Sequence, residues 1–257
     1  MNPFYFGTAE RALFGVYHPP RVRGGSMEGA VLCYPWGVEY MRAHRAFRQM
    51  TTLLTRAGVH VLRFDYGGTG DSTGMGEDQT LEQWREDVAT AIEELKDTAG
   101  LDRVSLIGLR LGGTLAAQVV EGRTDISRLV LWDPVVSGEY YLSDLLALEG
   151  EEGFGAGKDV IGIQGFPLTR ILFEQIRQID LSRADLSPEC AVDIVVSHEH
   201  PRFDLLRDRL SSLGSNLHYE VVPSQGNWAE GDAFGAALLP EGIIQAIVDR
   251  ISGVGVQ

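Results

Sequence analysis

Apolar residues recur along the chain in short runs that alternate with longer segments of helical spacing. The runs of strand length lie at residues 13–17, 30–34, 60–64, 104–107, 128–132, 192–197 and 217–222. Each is too short for a typical helix, and most are rich in β-branched or aromatic residues, which favours buried strands. We expect the first run, 13–17, to be an edge strand.

The segments between these runs have the pattern of helices with one apolar face. At residues 80–98 the apolar positions recur every three or four residues, and Thr80 precedes them as a possible N-cap. Further helices are predicted at 40–56, after the glycines that follow 104–107, at 203–213 and at 243–251. Strands that alternate with helices predict a doubly wound, mostly parallel sheet. We expect residues 1–257 to form a single α/β domain.

The most specific signal lies between the strand run at 104–107 and the helix that follows it. Residues 104–117 read VSLIGLRLGGTLAA. This is the frame of the nucleophile elbow, G-x-S-x-G, in which a sharp strand–turn–helix connection raises a serine hydroxyl above the sheet. The central position holds Arg110, which has five N–H donors and no acceptor and therefore cannot attack a carbonyl. The sequence predicts a hydrolase scaffold without its serine nucleophile.

With this frame and two further segments, the chain resembles the α/β-hydrolase superfamily. The closest resemblance is to its serine-aminopeptidase-like members, including the small hydrolases associated with exosortase systems. The further segments are 31–45, VLCYPWGVEYMRAHR, and 61–72, VLRFDYGGTGDS. The second is similar to the family's D-x-x-G-x-G-x-S loop, here with Asp65, Gly68, Gly70 and Ser72. The resemblance covers nearly the whole chain and implies an α/β-hydrolase fold.

Residues 134–190 interrupt the alternation of strands and helices. They contain a glycine-rich stretch at 150–157 and a helical piece at 168–179, and no strand pattern. In α/β hydrolases a cap over the active site is inserted at this point, so the resemblance implies that 134–190 are a short cap insertion. The glycines favour a mobile lid, and a poorly ordered surface loop is the alternative.

The other two members of a hydrolase triad are expected in the loops after the last strands. The acid is expected after the run at 192–197, where Glu199 fits and Asp204 lies further on. The histidine is expected after the run at 217–222, but residues 223–228, PSQGNW, contain none. Asn227 or Trp228 occupies its place. The chain is therefore expected to have a degenerate triad, although a pocket and oxyanion-hole amides can survive such a loss.

Three tryptophans at or just beyond strand ends, Trp36, Trp132 and Trp228, are expected to surround Arg110. An arginine at a helix start favours anions, and its guanidinium stacks on aromatic rings and binds carboxylate or phosphate bidentately. The alternative, compatible with the first, is an internal salt bridge to Asp133 or Glu199, because buried arginine is rarely unpaired. The predicted ligand-binding residues are Trp36, Gly37, Arg110, Leu111, Trp132, Asp133, Asn227 and Trp228.

Other sequence features carry weaker hypotheses. Cys33 precedes the oxyanion-type loop 34–37 and is a remote candidate nucleophile, although buried strand cysteines are commoner. His198 and His200 are zinc-ligand types, but no third ligand has motif spacing, so we predict no metal and no cofactor. The glycines at 67–70 are not followed by Lys-Ser/Thr, which excludes a P-loop.

Composition narrows the choice of partners. The formal net charge is −14, which disfavours nucleic-acid binding. The start, MNPFYFGTAER, has no basic leader pattern, and no apolar run reaches membrane-spanning length. The two cysteines, Cys33 and Cys190, give no disulfide framework. A cytoplasmic protein is predicted.

Three functional hypotheses follow. The first is a non-hydrolytic binder, or pseudoenzyme, that takes a small anionic or acyl-type ligand beneath the cap. The second is an active esterase, thioesterase or peptidase-like hydrolase that uses a non-standard nucleophile such as Cys33 or an activated water. The third is a scaffold subunit for a partner enzyme, and a homodimer is also open. Because one fold hosts many functions, the resemblance alone does not choose between them.

Overall fold

The structure is a computed structural model that describes residues 1–22, 28–150, 153–155, 157–186, 189–214, 216–224, 228 and 239–253. Its strands are β1 (Asn2–Gly7), β2 (Ala12–His18), β3 (Gly29–Cys33), β4 (His60–Phe64), β5 (Val104–Leu109), β6 (Ile126–Trp132), β7 (Val160–Ile163), β8 (Phe166–Thr169), β9 (Ala191–Val196) and β10 (Leu217–Val221). Its helices are α1 (Val38–Arg56), α2 (Leu81–Ala99), α3 (Leu111–Val120), α4 (Gly138–Glu149), α5 (Arg170–Arg177), α6 (Pro201–Ser212) and α7 (Glu241–Ser252).

Eight strands form one sheet in the order β1-β2-β4-β3-β5-β6-β9-β10. All neighbours from β4 to β10 pair in parallel, whereas β1 and β2 add antiparallel strands at one side. The predicted doubly wound, mostly parallel sheet is therefore confirmed. The prediction that 13–17 is an edge strand is wrong, because β1 pairs outside β2. Only Phe6 of β1 is buried, so this strand has no clear apolar alternation in the sequence.

The helices cover a sheet whose central strands are buried along their whole length. Every residue of β3 and β5 is buried, as a parallel strand between two helical layers requires. Helix α1 packs beside α7, and α2 packs beside α3. Thr80 caps α2 as predicted, in a capping box in which its side chain accepts from the Gln83 backbone and the Gln83 side chain accepts in return. This packing fixes the strand ends at which a site can form.

Between β6 and β9 the chain builds α4, a β7–β8 hairpin and α5. The expectation of no strand here is wrong, and the helix predicted at 168–179 is shorter, since residues up to Thr169 belong to β8. The hairpin turns at Gln164 and Gly165, both at positive φ, which suits a two-residue loop. Its strands have only four residues each, too few for a clear period-two pattern. Residues 151, 152 and 156 of the glycine-rich stretch lie outside the described residues.

In the described part of the chain, no helix combines the length and the hydropathy that a membrane crossing needs.

Candidate functional site

The elbow conformation is present at Arg110. Its backbone has φ 52° and ψ −123°, a region that a non-glycine residue adopts only when its surroundings hold it there. The Arg110 backbone N–H donates to the carbonyl of Trp132 at 3.0 Å, and its carbonyl accepts from Gly113 at 3.1 Å. A Cβ on Gly112 would lie 2.2 Å from the carbonyl oxygen of Tyr34, so only glycine lets α3 begin this close to β3. The turn therefore aims the residue 110 side chain out of the sheet's C-terminal edge.

The Arg110 side chain is held by a carboxylate that the sequence did not suggest. Its Nε donates to Glu39 Oε1 at 2.9 Å, and its Nη1 donates to the backbone carbonyl of Asp133 at 3.3 Å. Glu39 lies in the first turn of α1 and is 1% exposed, whereas the Arg110 side chain is 23% exposed. The other Glu39 oxygen accepts from the Tyr141 hydroxyl at 3.0 Å. Both carboxylate oxygens of Glu39 are thus occupied.

The predicted ion pair of Arg110 with Asp133 or Glu199 is wrong. Glu199 is exposed, and the Asp133 carboxylate points to Ser197, whose backbone N–H and hydroxyl donate to Asp133 Oδ1 at 2.7 and 3.0 Å. Burial opposes the charge on Arg110, but Glu39 and Tyr141 outweigh it and raise the pKa of the guanidinium. Arg110 is therefore a permanent cation with one side of its guanidinium fixed.

Asp133 is a buried acid with one unused oxygen. It has φ 41°, and its Oδ2 has no hydrogen-bond partner in the described part of the chain. Burial raises the pKa of Asp133, while the Ser197 amide and Arg110 oppose that shift. The Ser197 hydroxyl also lies 3.0 Å from His198 Nδ1. Ser197 is only 3% exposed, so its hydroxyl is largely shielded from solvent, whereas His198 is exposed.

A cavity of about 350 Å³, which we call the cationic cavity, opens beside the Arg110 side chain. Its charged and titratable lining consists of Glu39, Arg110, Asp144, His198, His200 and Arg202, and its aromatic walls are Tyr141, Phe203 and Trp228. Arg202 has no carboxylate partner among the described residues and stacks 3.6 Å from the ring centre of Tyr140. The lining holds two arginines and two acids, but both carboxylate oxygens of Glu39 are occupied and Asp144 is exposed, so the cations are the charged groups left with free donors.

His200 is one of the residues that line the cationic cavity. Its Nδ1 accepts from the backbone N–H of Arg202 at 3.2 Å, so the neutral ring carries its proton on Nε2. Burial and the adjacent Arg202 lower the pKa of His200, which keeps the ring neutral near pH 7. The ring is thus a donor whose presence does not depend on an acidic medium.

A second cavity, of about 260 Å³, lies beside the next residue of the elbow, Leu111. We call it the apolar cavity, because none of its lining side chains is charged. Its larger lining side chains are Tyr34, Trp36, Tyr40, Met41, Tyr66, Trp84, Leu111, Leu115, Phe166 and Pro167. The D-x-x-G-x-G-x-S loop forms part of its wall, where Tyr40 donates to Asp65 Oδ1 at 2.8 Å.

The predicted ligand-binding residues are divided between these two cavities. Arg110 and Trp228 line the cationic cavity, whereas Trp36, Gly37 and Leu111 line the apolar one. Trp132 lines neither, since it is fully buried between Phe47 and Trp228. Asp133 also lines neither, and Asn227 lies outside the described residues. The expectation that three tryptophans surround Arg110 is therefore wrong for Trp36 and Trp132, which the strand and loop geometry directs elsewhere.

Cys33 is not an activated nucleophile. It is completely buried, and burial raises the pKa of its thiol to about 12 although the neighbouring Tyr66 hydroxyl acts in the opposite direction. A thiol in this state carries almost no thiolate at neutral pH. His198 and His200 lie with their rings 6.2 Å apart and nearly perpendicular, and no group of three metal-ligating side chains comes together among the described residues.

Comparison with known sequences supports the hydrolase relationship. The profile of a hydrolase family described as serine aminopeptidase, S33, matches residues 40–152. The human mitochondrial palmitoyl-protein thioesterase ABHD10 is 32% identical over 95 residues, which cover 37% of this chain. The aligned region spans only 29% of the length of that curated relative. Because that relative is named as mitochondrial, the cytoplasmic location of this chain stays a prediction.

Solved structures share the fold over nearly the whole length. Alpha/beta hydrolase domain-containing protein 10 from mouse superposes with a TM-score of 0.63 at 16% identity, over 99% of this chain and 98% of that one. The bottromycin epimerase BotH, solved in complex with bottromycin A2, gives a TM-score of 0.60 at 19% identity over 100% of both chains. At these identities the likeness concerns the fold alone. The chain thus has the α/β-hydrolase fold, and the partial sequence matches support its membership of the α/β-hydrolase superfamily.

Proposed function

We propose that this protein binds a small organic anion in the cationic cavity and does not act as a serine hydrolase. The observation that carries the proposal is Arg110 at the elbow. The backbone position that presents a nucleophile in a hydrolase here presents a guanidinium, which lines a cavity of about 350 Å³. The anchoring by Glu39 fixes the group in place, so binding does not have to order a free arginine side chain.

Three observations argue against serine hydrolysis by this protein. Arg110 has no nucleophilic atom. No histidine follows His218 in the sequence, and His218 itself lies within β10. Asp133 is a buried acid beside the elbow, but its Oδ2, the oxygen that Ser197 leaves free, receives no histidine N–H among the described residues. A nucleophile and a base are both required for acyl transfer, so the loss of both supports a binding role.

The donors of the cationic cavity support an anionic ligand. The Arg110 guanidinium makes no hydrogen bond to described residues beyond those to Glu39 and the Asp133 carbonyl. Arg202 has no acidic partner there, and His200 offers Nε2–H. Charge-assisted hydrogen bonds to a carboxylate or phosphate are roughly twice as strong as neutral ones. Walls formed by Tyr141, Phe203 and Trp228 suit a ligand with a small apolar body attached to its anionic group.

The test is calorimetric titration with phenyl phosphate and with benzoate, which distinguish a phosphate from a carboxylate preference. Arg110→Gln removes the charge at the elbow, and we expect it to weaken binding by about 10- to 100-fold. Arg177→Gln is the matched control, because Arg177 is an exposed arginine of α5 paired with Glu174. Equal affinity of the parent and Arg110→Gln for both anions, or no binding of either, would contradict the proposal.

A further inference from the structure

We propose that the exposed face of α1 is a docking site for an acidic, extended segment of a partner protein. The site, which we call the arginine groove, has a volume of about 370 Å³ and is lined by Arg45, Arg48, Gln49, Thr52, Leu53 and Arg56. It shares no lining residue with the two cavities beside the elbow. Docking at the arginine groove is therefore independent of anion binding at Arg110.

The three arginines of the groove are exposed, and none has an acidic partner in the described part of the chain. They contrast with the rest of the protein, in which acidic residues outnumber basic ones by 36 to 22. Partly or fully exposed arginines on other helices pair with an acid one turn away, as in Glu82–Arg85, Glu174–Arg177 and Asp204–Arg207. The guanidinium donors of the groove are therefore free to bind carboxylates from outside the chain.

The spacing of the arginines fits an extended chain better than a single small anion. Arg45 and Arg56 both lie in α1, and at 1.5 Å per residue they are about 16 Å apart along the helix axis. One carboxylate or phosphate group is too small to reach both ends. An extended peptide rises about 3.3 Å per residue, so a segment of about six residues spans the groove and can bring a carboxylate to each arginine.

The neutral residues of the groove favour a peptide over a single-stranded nucleic acid. The Gln49 amide has both donors and an acceptor, which suits a peptide backbone, and the half-buried Leu53 offers an apolar contact. Proteins usually hold single-stranded nucleic acid by stacking its bases on aromatic side chains. Among the described residues, no aromatic side chain lines the arginine groove.

The charge of the rest of the protein limits the size of the partner's contact. The formal net charge is −14, so a DNA duplex or an anionic membrane would be repelled wherever it extends beyond the groove. At physiological ionic strength, charges on the surface are screened over about 8 Å. A short acidic segment that stays within the groove therefore interacts mainly with the three arginines.

The test is calorimetric titration of the intact protein with a hexaglutamate peptide, with hexaglutamine as the neutral control. We expect hexaglutamate to bind saturably at about 0.15 M salt and to lose its binding at about 1 M, where the screening length falls to about 3 Å. Hexaglutamine should not bind. Absence of hexaglutamate binding, or binding that persists at the higher salt concentration, would overturn the proposal.

Two charge-matched triple variants locate the peptide. The first, Arg45→Gln with Arg48→Gln and Arg56→Gln, should weaken hexaglutamate binding about ten-fold, because three exposed charge pairs are lost. The second removes the same charge from other surfaces and should bind as the parent does; it combines Arg177→Gln, Arg183→Gln and Arg207→Gln. If the first variant does not fold, Arg48→Gln against Arg177→Gln gives the same comparison with a smaller difference. Equal affinity in the two members of a folded pair would overturn the site.

Two further measurements distinguish the arginine groove from other sites and other partners. Arg110→Gln should bind hexaglutamate as the parent does, because Arg110 lies outside the groove. Loss of hexaglutamate binding in Arg110→Gln would place the peptide in the cationic cavity and overturn the docking site. Tighter binding of a DNA duplex or of phosphatidylserine vesicles than of hexaglutamate would assign the groove to another kind of polyanion and would also overturn it.

Discussion

The two cavities beside the elbow differ in charge although neighbouring residues build both. Glu39 and Arg110 give the cationic cavity its anchored cation, and Tyr40 and Leu111 give the apolar cavity uncharged walls. Successive residues at a helix start point about 100° apart, because a turn holds 3.6 residues. A substitution at the central elbow position can therefore change one cavity completely and leave the other intact. The difference shows that the residue at the centre of the elbow contributes to only one of the two cavities that the elbow borders.

The largest expected effect concerns covalent chemistry at the elbow. A fluorophosphonate probe should leave the protein unlabelled, because Arg110 is not a nucleophile and Ser197 is buried against Asp133. Arg110→Ser should not create appreciable esterase activity, because no histidine follows the last strand to act as base. Intact-protein mass spectrometry measures the adduct, with an active serine hydrolase as the positive control. Stoichiometric labelling of any serine would contradict the proposal that the protein has no serine nucleophile.

The second effect concerns the Glu39–Arg110 ion pair, which lines the cationic cavity. Glu39→Gln should lower the free energy of unfolding by about 3 kcal/mol, because it leaves a largely buried guanidinium without its carboxylate. Glu174→Gln, which breaks the exposed Glu174–Arg177 pair, should change it by less than about 1 kcal/mol. Urea denaturation measures both. Equal losses in the two variants would mean that the Glu39–Arg110 pair stabilises the fold no more than an exposed ion pair does.

A third effect separates the tryptophans by cavity. Phenyl phosphate should alter the fluorescence of the parent and of Trp84→Phe, because Trp84 lines the apolar cavity. Trp228→Phe should abolish most of that response, since Trp228 lines the cationic cavity. Fluorescence titration at equal protein concentration makes the measurement. A response that persists in Trp228→Phe and disappears in Trp84→Phe would mean that phenyl phosphate binds in the apolar cavity and not in the cationic one.

The smallest effect is a pH dependence from Asp133. Burial raises the pKa of Asp133 in the folded protein above its unfolded value, which is about 3.9. The associated stability is complete below that unfolded value and is lost as the pH rises through the higher folded-state pKa. Asp133→Asn keeps an acceptor for Ser197 and removes the charge. The unfolding free energy of the parent should therefore fall relative to that of Asp133→Asn as the pH rises above about 4. A parent that gains relative stability with rising pH would contradict this.

Sequence patterns predicted the sheet well because its central strands are buried on both faces and are therefore mostly apolar, most uniformly in β3, GAVLC. They failed where burial is partial. Strand β1 buries only Phe6, and the β7–β8 hairpin has four-residue strands whose pairing depends on the turn at Gln164 and Gly165. Local composition gives little signal for such elements.

The elbow was predictable because its glycines have a local cause, the close approach of α3 to β3 at Gly112. The partner of Arg110 was not, because Glu39 and Arg110 are 71 residues apart and meet only when α1 packs over the sheet. A weak signal existed: Glu39 is an acid within the otherwise apolar segment YPWGVEYM. The division of the predicted site into two cavities depends on the directions of the side chains. The spacing of residues in the sequence does not specify these directions in the loops that follow the strands.

The central claim is that the elbow presents an anion-binding group in place of a nucleophile, and a crystal structure of the protein with phenyl phosphate tests it most directly. The account predicts phosphate oxygens within about 3 Å of the Arg110 guanidinium, with Glu39 still bound to Nε and the phenyl ring beside Trp228. A structure in which Arg110 contacts only Glu39 and the Asp133 carbonyl, while the phosphate is bound elsewhere, would contradict it.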